Sequence, residues 1–151
     1  MQKVLFVCTA NICRSPMAEA IFNALAEDTN LSFRAESAGT AALEGKPMDP
    51  NAEAAVVEMG IYPEPHRARQ VGEALIEDAD LVLAMTPRHL AEIGSFYRDS
   101  PREVYTLLEY ATGAPAREGI PDPHGYTMAA YRSSARQLYE YVERVVDHLA
   151  R

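Results

Sequence analysis

The stretch "VLFVCTANICRSPMAEA", residues 4–20, passes from an apolar segment through a short polar turn into a second apolar-periodic segment. The run "KVLFV" at 3–7 predicts a buried strand, and the residues after Pro16 repeat with the period of a helix. The turn between them, residues 8–16, holds a thiol, a guanidinium and several small polar side chains. Open parallel sheets bind ligands at such strand-to-helix turns. This stretch therefore predicts both an α/β fold and its ligand site.

The turn contains the components of an oxyanion site. Backbone N–H groups at a helix start, at the positive end of the helix dipole, favour anions. Arg14 adds a planar guanidinium that can bind two phosphate oxygens, and the positive field favours Cys8 as a thiolate nucleophile. Ser15 can donate to that sulfur and cap the helix, while Asn11 tolerates a left-handed backbone. A structural cysteine beside a solvated arginine is the alternative, but their joint position favours the functional interpretation.

The composition is that of one globular domain. The chain has 151 residues, 48% of them hydrophobic and 24% charged, which predicts a single domain over residues 1–151. Its net charge is -8 and lysine occurs only at Lys3 and Lys46, so we expect neither nucleic-acid nor membrane binding. The sequence does not predict an oligomeric state.

The two cysteines, Cys8 and Cys13, lie in the same turn and cannot link distant parts of the fold. This spacing indicates a reducing compartment and thiols kept free for chemistry. The amino terminus has too short an apolar run for a secretory signal, and no segment is apolar enough to cross a bilayer. We therefore expect a soluble, cytoplasmic protein.

Strand-like and helix-like segments alternate along the chain. The strand-like runs are 3–7, 32–37, 80–85 and 103–107. Such alternation predicts parallel strands with crossover helices. Three helix starts share a polar cap followed by proline, namely Ser15-Pro16, Asp49-Pro50 and Thr86-Pro87. Two helical stripes read as core, one of Ala18, Ile21, Phe22 and Leu25, the other of Tyr131, Ala135, Leu138, Val142, Val145 and Leu149.

Residues 4–20 resemble the signature of the low-molecular-weight protein tyrosine phosphatases, a family that includes bacterial protein arginine phosphatases and related arsenate reductases. Later segments resemble the family in the same order: "ESAGT" at 36–40, "HRARQ" at 66–70, "ADLVLAMT" at 79–86 and "PDPHG" at 121–125. The resemblance covers nearly the whole chain. It implies a four-stranded parallel sheet flanked by helices, with a phosphate-binding loop between strand 1 and helix 1.

The resemblance also implies a metal-free, cofactor-free phosphoryl transfer through a phosphocysteine. Cys8 would attack phosphorus, Arg14 would hold the equatorial oxygens, and Asp122 would act first as acid and then as base. Without the resemblance, Asp122-Pro123 would read as an ordinary turn. The remaining phosphate-binding loop residues would be Thr9, Ala10, Asn11, Ile12, Cys13 and Ser15.

Three further residues have roles that the resemblance implies. Ser37 and His66 match positions that brace Asn11 and the loop, although His66 alone would equally suggest a structural histidine. Cys13 is either a small packing residue or a redox residue that forms a reversible disulfide with Cys8. Ala10 stands where the family commonly has glycine, so the backbone there must accept a Cβ.

The substrate class depends on few residues. Ile12 matches the tyrosine phosphatases and suits a phenol ester, which predicts hydrolysis of phosphotyrosine in proteins and of small aryl phosphates. His124-Gly125-Tyr126 replaces the tyrosine pair common in those enzymes and favours the alternative of a protein arginine phosphatase. Two further alternatives are a single-cysteine arsenate reductase and a phosphoryl carrier or oxyanion-binding module.

Overall fold

A parallel four-stranded sheet organises the fold. The computed structural model describes residues 1–97 and 103–151. The strands are β1 (Gln2–Cys8), β2 (Phe33–Gly39), β3 (Leu81–Ala84) and β4 (Glu103–Thr106), in the spatial order β2-β1-β3-β4. All three strand pairs are parallel, which confirms the predicted sheet, and each strand end lies within two residues of its predicted position.

Six helices occur in the described residues and cover the sheet. They are α1 (Arg14–Asp28), α2 (Pro50–Val57), α3 (Glu73–Asp78), α4 (Pro87–Phe96), α5 (Leu107–Thr112) and α6 (Met128–Leu149). Asp49 caps α2 and Thr86 caps α4, each followed by proline at the first helical position, as predicted. No helix in the described ranges is long and apolar enough to span a membrane.

The predicted cap of α1 is wrong. The helix begins at Arg14, its N-cap is Cys13, and no side chain caps it. Ser15 lies one residue inside the helix, where its hydroxyl contacts Cys8 and Asn11 instead. The Ser15 hydroxyl therefore takes part in the candidate site and does not cap the helix.

Strand β1 is buried on both faces. Val4 and Phe6 pack into the larger core, which α1, α2, α5 and α6 cover, while Leu5 and Val7 pack into a smaller core on the α3 and α4 side. Both predicted helical stripes lie in the larger core, with Leu25 and Leu149 only partly buried. A strand buried on both faces has no polar alternation, which explains the continuous apolar run before Cys8.

The position of β1 places the turn that follows it at a switch point of the sheet. Strand β2 lies on one side of β1 and strand β3 on the other, so a crevice opens at the carboxyl end of β1. Gly39 ends β2 beside this crevice, where a Cβ would collide with the Thr9 carbonyl oxygen. Glycine at 39 therefore lets the turn after Cys8 pack directly against β2.

Candidate active site

The turn between β1 and α1 points its carbonyl groups outward. The five consecutive carbonyl oxygens from Cys8 to Ile12 each accept a hydrogen bond of 2.7 to 3.1 Å from elsewhere in the chain. Their donors are the backbone N–H groups of Thr40, Ala41, Leu43 and Asp49 and the imidazole Nε2 of His66. In a trans peptide the N–H points opposite to the C=O. The N–H groups of residues 9–13 therefore face the inside of the turn and form an anion cradle.

The left-handed residue of the turn is Asn11, with φ of 61°. Its side chain is fully buried and has a partner at each atom: the amide nitrogen donates to Ser15 at 2.8 Å and to Ser37 at 3.0 Å, and the oxygen accepts from the Arg69 N–H. These bonds hold the turn in its conformation. Ala10 is not left-handed, so its Cβ is accommodated without backbone strain.

Cys8 lies at the base of the cradle. Its Sγ is buried and lies 2.9 Å from the Ser15 Oγ. Because Asn11 donates to the same Oγ, the Ser15 hydroxyl can donate its own proton either to the sulfur or to the Ala38 carbonyl at 3.5 Å. The hydroxyl is therefore placed to donate a hydrogen bond to the sulfur.

Arg14 is fixed beside the cradle, with only 5% of the residue exposed. One terminal nitrogen donates to the Ile120 carbonyl at 3.0 Å, and the other donates to the Thr9 hydroxyl at 3.4 Å. The second nitrogen also lies 3.7 Å from the Asp122 carboxylate. The guanidinium is thus oriented before any anion binds, which reduces the entropy lost on binding.

The two Asp-Pro pairs have different surroundings. Asp49 caps α2 through a bond from the Asn51 N–H, whereas Asp122 lies at the mouth of the cradle with 53% of its side chain exposed. Asp122 accepts a hydrogen bond from the His124 N–H at 3.1 Å. Gly119 allows this segment to pass close to the residues that follow β3, because a Cβ there would collide with the Met85 carbonyl. The structure therefore brings Asp122 to Arg14 from 108 residues away in sequence.

Glu19 supports the turn from behind and was not predicted from the sequence. Ser37 donates to its carboxyl oxygen at 2.6 Å while accepting from Asn11, so Glu19 terminates a hydrogen-bonded chain that leads to Cys8. Burial raises the pKa of Glu19. The available sequence signal was its position one helical turn after Ser15, which did not distinguish it from a surface acid.

His89 is a second residue that the sequence did not indicate. It is 2% exposed, and its two ring nitrogens lie 2.7 Å from the Thr9 hydroxyl and 2.9 Å from the Thr86 hydroxyl. Burial and the nearby Arg14 lower the pKa of His89 to about 4. A neutral imidazole therefore links the cap of α4 to Thr9, the residue that also accepts from Arg14.

We expect this buried imidazole to make the fold sensitive to acid. The unfolded chain binds the His89 proton near the ordinary pKa of 6.5 and the folded chain near 4, so the free energy of unfolding falls as pH drops between those values. The His89 contribution to that loss is about 2 kcal/mol between pH 7 and pH 5. Urea unfolding at both pH values should show a smaller pH dependence for His89→Gln than for wild type. His148→Gln, on the exposed end of α6, is the control, and equal pH dependence in all three proteins would contradict the prediction.

Cys13 lies behind the cradle. Its Sγ is 3.8 Å from the Tyr131 hydroxyl and 4.0 Å from the His124 Nδ1. Burial raises the pKa of Cys13 to about 12, so it is a thiol at neutral pH. Cys8 and Cys13 are both free, and the predicted disulfide between them stays a prediction.

Sequence comparisons place this arrangement among known proteins. A family model described as low molecular weight phosphotyrosine protein phosphatase matches residues 3–151. A protein-arginine-phosphatase of Bacillus subtilis is 38% identical over 146 residues, covering 97% of this chain and 95% of that protein. A low molecular weight protein-tyrosine-phosphatase of Streptomyces coelicolor is 40% identical over 129 residues, covering 81% of this chain and 77% of that protein.

Solved structures show the same fold. The arginine phosphatase YwlE, as a cysteine-to-serine mutant with a phosphorylated active site serine, aligns with a TM-score of 0.91 at 38% identity, covering 99% of this chain and 97% of that chain. A low molecular weight protein tyrosine phosphatase from T. tengcongensis aligns with a TM-score of 0.91 at 35% identity, covering 98% and 99%. Both neighbours therefore share the fold of this chain from end to end.

Proposed function

The chain belongs to the low molecular weight protein tyrosine phosphatase family, and from this we propose that it hydrolyses phosphorylated side chains of proteins through a phosphocysteine at Cys8. The observation that carries the proposal is the cradle itself. Five inward N–H groups surround the space above a buried sulfur, and a pre-oriented guanidinium lies beside it. Such an arrangement stabilises the charge on a transferring phosphoryl group.

In the first step, the Cys8 thiolate attacks phosphorus. A sulfur–phosphorus bond forms while the bond from phosphorus to the leaving group breaks. Arg14 and the N–H groups of residues 9–13 hold the equatorial oxygens, and Asp122 gives its proton to the leaving atom. Its place at the mouth, 3.7 Å from Arg14, supports this role for Asp122.

In the second step, water attacks the phosphocysteine on the side the product has left. Asp122, now a carboxylate, takes a proton from the water as the new phosphorus–oxygen bond forms and the sulfur–phosphorus bond breaks. Ser15 stabilises the departing thiolate through its hydroxyl. Inorganic phosphate then leaves. The positive charge that both steps need comes from Arg14 and the backbone, so neither step is routed through a metal or a cofactor.

Replacing Asp122 tests its role as acid. Asp122→Asn keeps the size of the side chain and removes the transferable proton, so we expect kcat/KM, which reports the first step, to fall by about 10² to 10³. The loss should be largest for alkyl phosphates and smallest for nitrophenyl phosphate, whose leaving group needs no proton. Values of kcat/KM across a series of leaving groups measure this, with Asp49→Asn compared for stability. A loss that does not vary with the leaving group would remove Asp122 as the acid.

We propose phosphotyrosine as the substrate class because of Ile12. Its side chain is apolar and retains 8% exposure in the turn, which suits an aryl ester better than a guanidinium that needs polar partners. Phosphoarginine is the second candidate. The protein-arginine-phosphatase relative matches nearly the whole chain, and no aromatic pair follows Asp122.

Matched phosphotyrosine and phosphoarginine peptides separate the two candidates. We expect phosphotyrosine to give the higher kcat/KM for phosphate release, and Ile12→Thr to shift the ratio towards phosphoarginine by about tenfold. Cys8→Ser serves as the blank. A higher kcat/KM for phosphoarginine in the wild type would instead assign the arginine class. If neither peptide is hydrolysed while phosphate still binds, the chain is a phosphoryl carrier or oxyanion sensor.

A further inference from the structure

Three metal-ligating side chains meet behind the cradle. Cys13 is the N-cap of α1, Asp49 is the N-cap of α2, and His124 lies on the segment between α5 and α6. The His124 Nδ1 is 4.0 Å from the Cys13 Sγ and 3.9 Å from the Asp49 Oδ2, and all three atoms lie within 4.8 Å of one another. Residues separated by up to 111 positions in sequence thus converge on one point.

The three ligand atoms lie next to one another at that point. Asp49 uses its Oδ1 to cap α2, which leaves Oδ2 directed at the imidazole. The Tyr131 hydroxyl lies 3.8 Å from the Cys13 Sγ and can hydrogen-bond a ligand carboxylate or sulfur. The cluster is open to solvent on one side, because 59% of the His124 side chain is exposed. An ion could therefore enter without disturbing the core.

We infer that Cys13, Asp49 and His124 form a binding site for a borderline-soft divalent metal ion such as Zn²⁺. Thiolate and imidazole ligands favour zinc and its neighbours over Mg²⁺ and Ca²⁺, which prefer all-oxygen sites. Around a tetrahedral zinc ion, sulfur and nitrogen ligand atoms are about 3.3 to 3.6 Å apart. His124 lies 3.9 and 4.0 Å from the other two ligand atoms, and the Cys13–Asp49 separation is no more than 4.8 Å, so the three atoms must move together to bind an ion.

Binding is a proton-for-metal exchange. The Cys13 thiol releases its proton to solvent as the sulfur–metal bond forms, and the hydrated six-coordinate ion loses five waters to become four-coordinate. The fourth position stays open to water. No electron is transferred. The site lies outside the chemistry proposed for Cys8, and the ion is not a participant in either phosphoryl-transfer step.

An ion at this site would act on the loop that carries Asp122. His124 follows Asp122 by two residues, and its N–H donates to the Asp122 carboxylate. Asp49 is tied to the cradle through the bond from its N–H to the Ile12 carbonyl. An ion bound to both His124 and Asp49 would fix the mouth of the site in one position. We therefore expect a lower rate of phosphate release from the metal-bound form.

The Cys8→Ser variant gives a clean test, because Cys13 is then the only thiol in the chain. Co²⁺ replaces the spectroscopically silent Zn²⁺. Titration should produce a sulfur-to-cobalt charge-transfer band at one ion per chain, which Zn²⁺ removes by displacement and Mg²⁺ does not. Adding Cys13→Ser should abolish the band. Absence of the band in Cys8→Ser would overturn the proposal.

The other two ligands are tested in the same background. Adding His124→Ala or Asp49→Asn should weaken Co²⁺ binding by about 10 to 100-fold. Asparagine caps a helix as well as aspartate does, so Asp49→Asn keeps α2 intact. Adding His148→Ala is the matched control and should leave the Co²⁺ affinity unchanged. Equal affinity in the His124→Ala and His148→Ala backgrounds would show that the thiol binds the ion without this site.

The effect on the loop is measured with wild-type Cys8, and only this arm rests on the proposed phosphatase activity. Zn²⁺ should lower the initial rate, and His124→Ala should need at least about tenfold more Zn²⁺ for half inhibition. If Zn²⁺ inhibits wild type and His124→Ala at the same concentration, Zn²⁺ acts on the Cys8 thiolate. The proposal that the ion restrains the loop would then be wrong. The spectroscopic result would stand apart from that outcome.

Discussion

Cys8→Ser is expected to lower kcat for phosphate release by at least about 10⁴-fold. A serine hydroxyl at this position is protonated at neutral pH, and it is a far weaker nucleophile than a thiolate. The cradle itself does not depend on the sulfur, because its carbonyl groups are held by Thr40, Ala41, Leu43, Asp49 and His66. Inorganic phosphate should therefore bind to the variant with an affinity close to that of the wild type.

The two readouts for Cys8→Ser separate loss of chemistry from loss of structure. Phosphate release from a phosphotyrosine peptide reports the chemistry, and calorimetric titration with inorganic phosphate reports the cradle. A thermal melt confirms that the variant is folded. Turnover within about tenfold of wild type would contradict the assignment of Cys8 as the nucleophile.

Arg14→Lys is expected to lower kcat/KM by about 10³-fold even though the charge is kept. Arginine donates to the Ile120 carbonyl and the Thr9 hydroxyl and still presents a planar fork to two phosphate oxygens. A lysine ammonium can bind one of these groups but cannot span them. The loss should appear mainly in kcat, because the fork matches the charge that spreads over the equatorial oxygens.

Arg144→Lys is the matched control for this substitution. Arg144 lies on the exposed face of α6 in an ion pair with Glu140, so its replacement should leave kcat/KM unchanged. The two variants are compared by steady-state kinetics on the same peptide. A loss below about tenfold for Arg14→Lys would show that a point charge suffices and that the oriented fork is not used.

The parts of the fold that depend on local signals were predictable. The apolar run of β1 and the Asp49-Pro50 and Thr86-Pro87 caps are encoded within a few residues, and the structure has them where they were predicted. The prediction that Ser15 caps α1 was wrong because a tertiary contact overrides the local preference of serine for the N-cap. The Ser15 hydroxyl is taken by Cys8 and Asn11, and a sequence pattern does not record that competition.

The parts of the site that depend on distant contacts were not predictable from local pattern. In the sequence, Glu19 and His89 look like ordinary helix residues. Only the folded chain brings Glu19 to Ser37 on β2 and His89 on α4 to Thr9. The backbone of Gly39 is not left-handed, so no local conformation requires glycine there. Glycine is required because the turn after Cys8 packs against this residue. Asp122 was identified only through the family resemblance, because its Asp-Pro pair is locally no different from Asp49-Pro50.

If the phosphoryl group passes through Cys8, a phosphocysteine forms during each turnover and can be trapped. The intermediate can be trapped by mixing the enzyme with nitrophenyl phosphate, quenching within one turnover in alkaline denaturant, where the sulfur–phosphorus bond is stable, and locating the phosphoryl group by peptide mass spectrometry. We expect one phosphoryl group per chain on the peptide that contains Cys8, formed as fast as nitrophenol is released. Nitrophenol release with no phosphoryl group on Cys8 during that turnover would mean direct attack by water, and the proposed mechanism would be wrong.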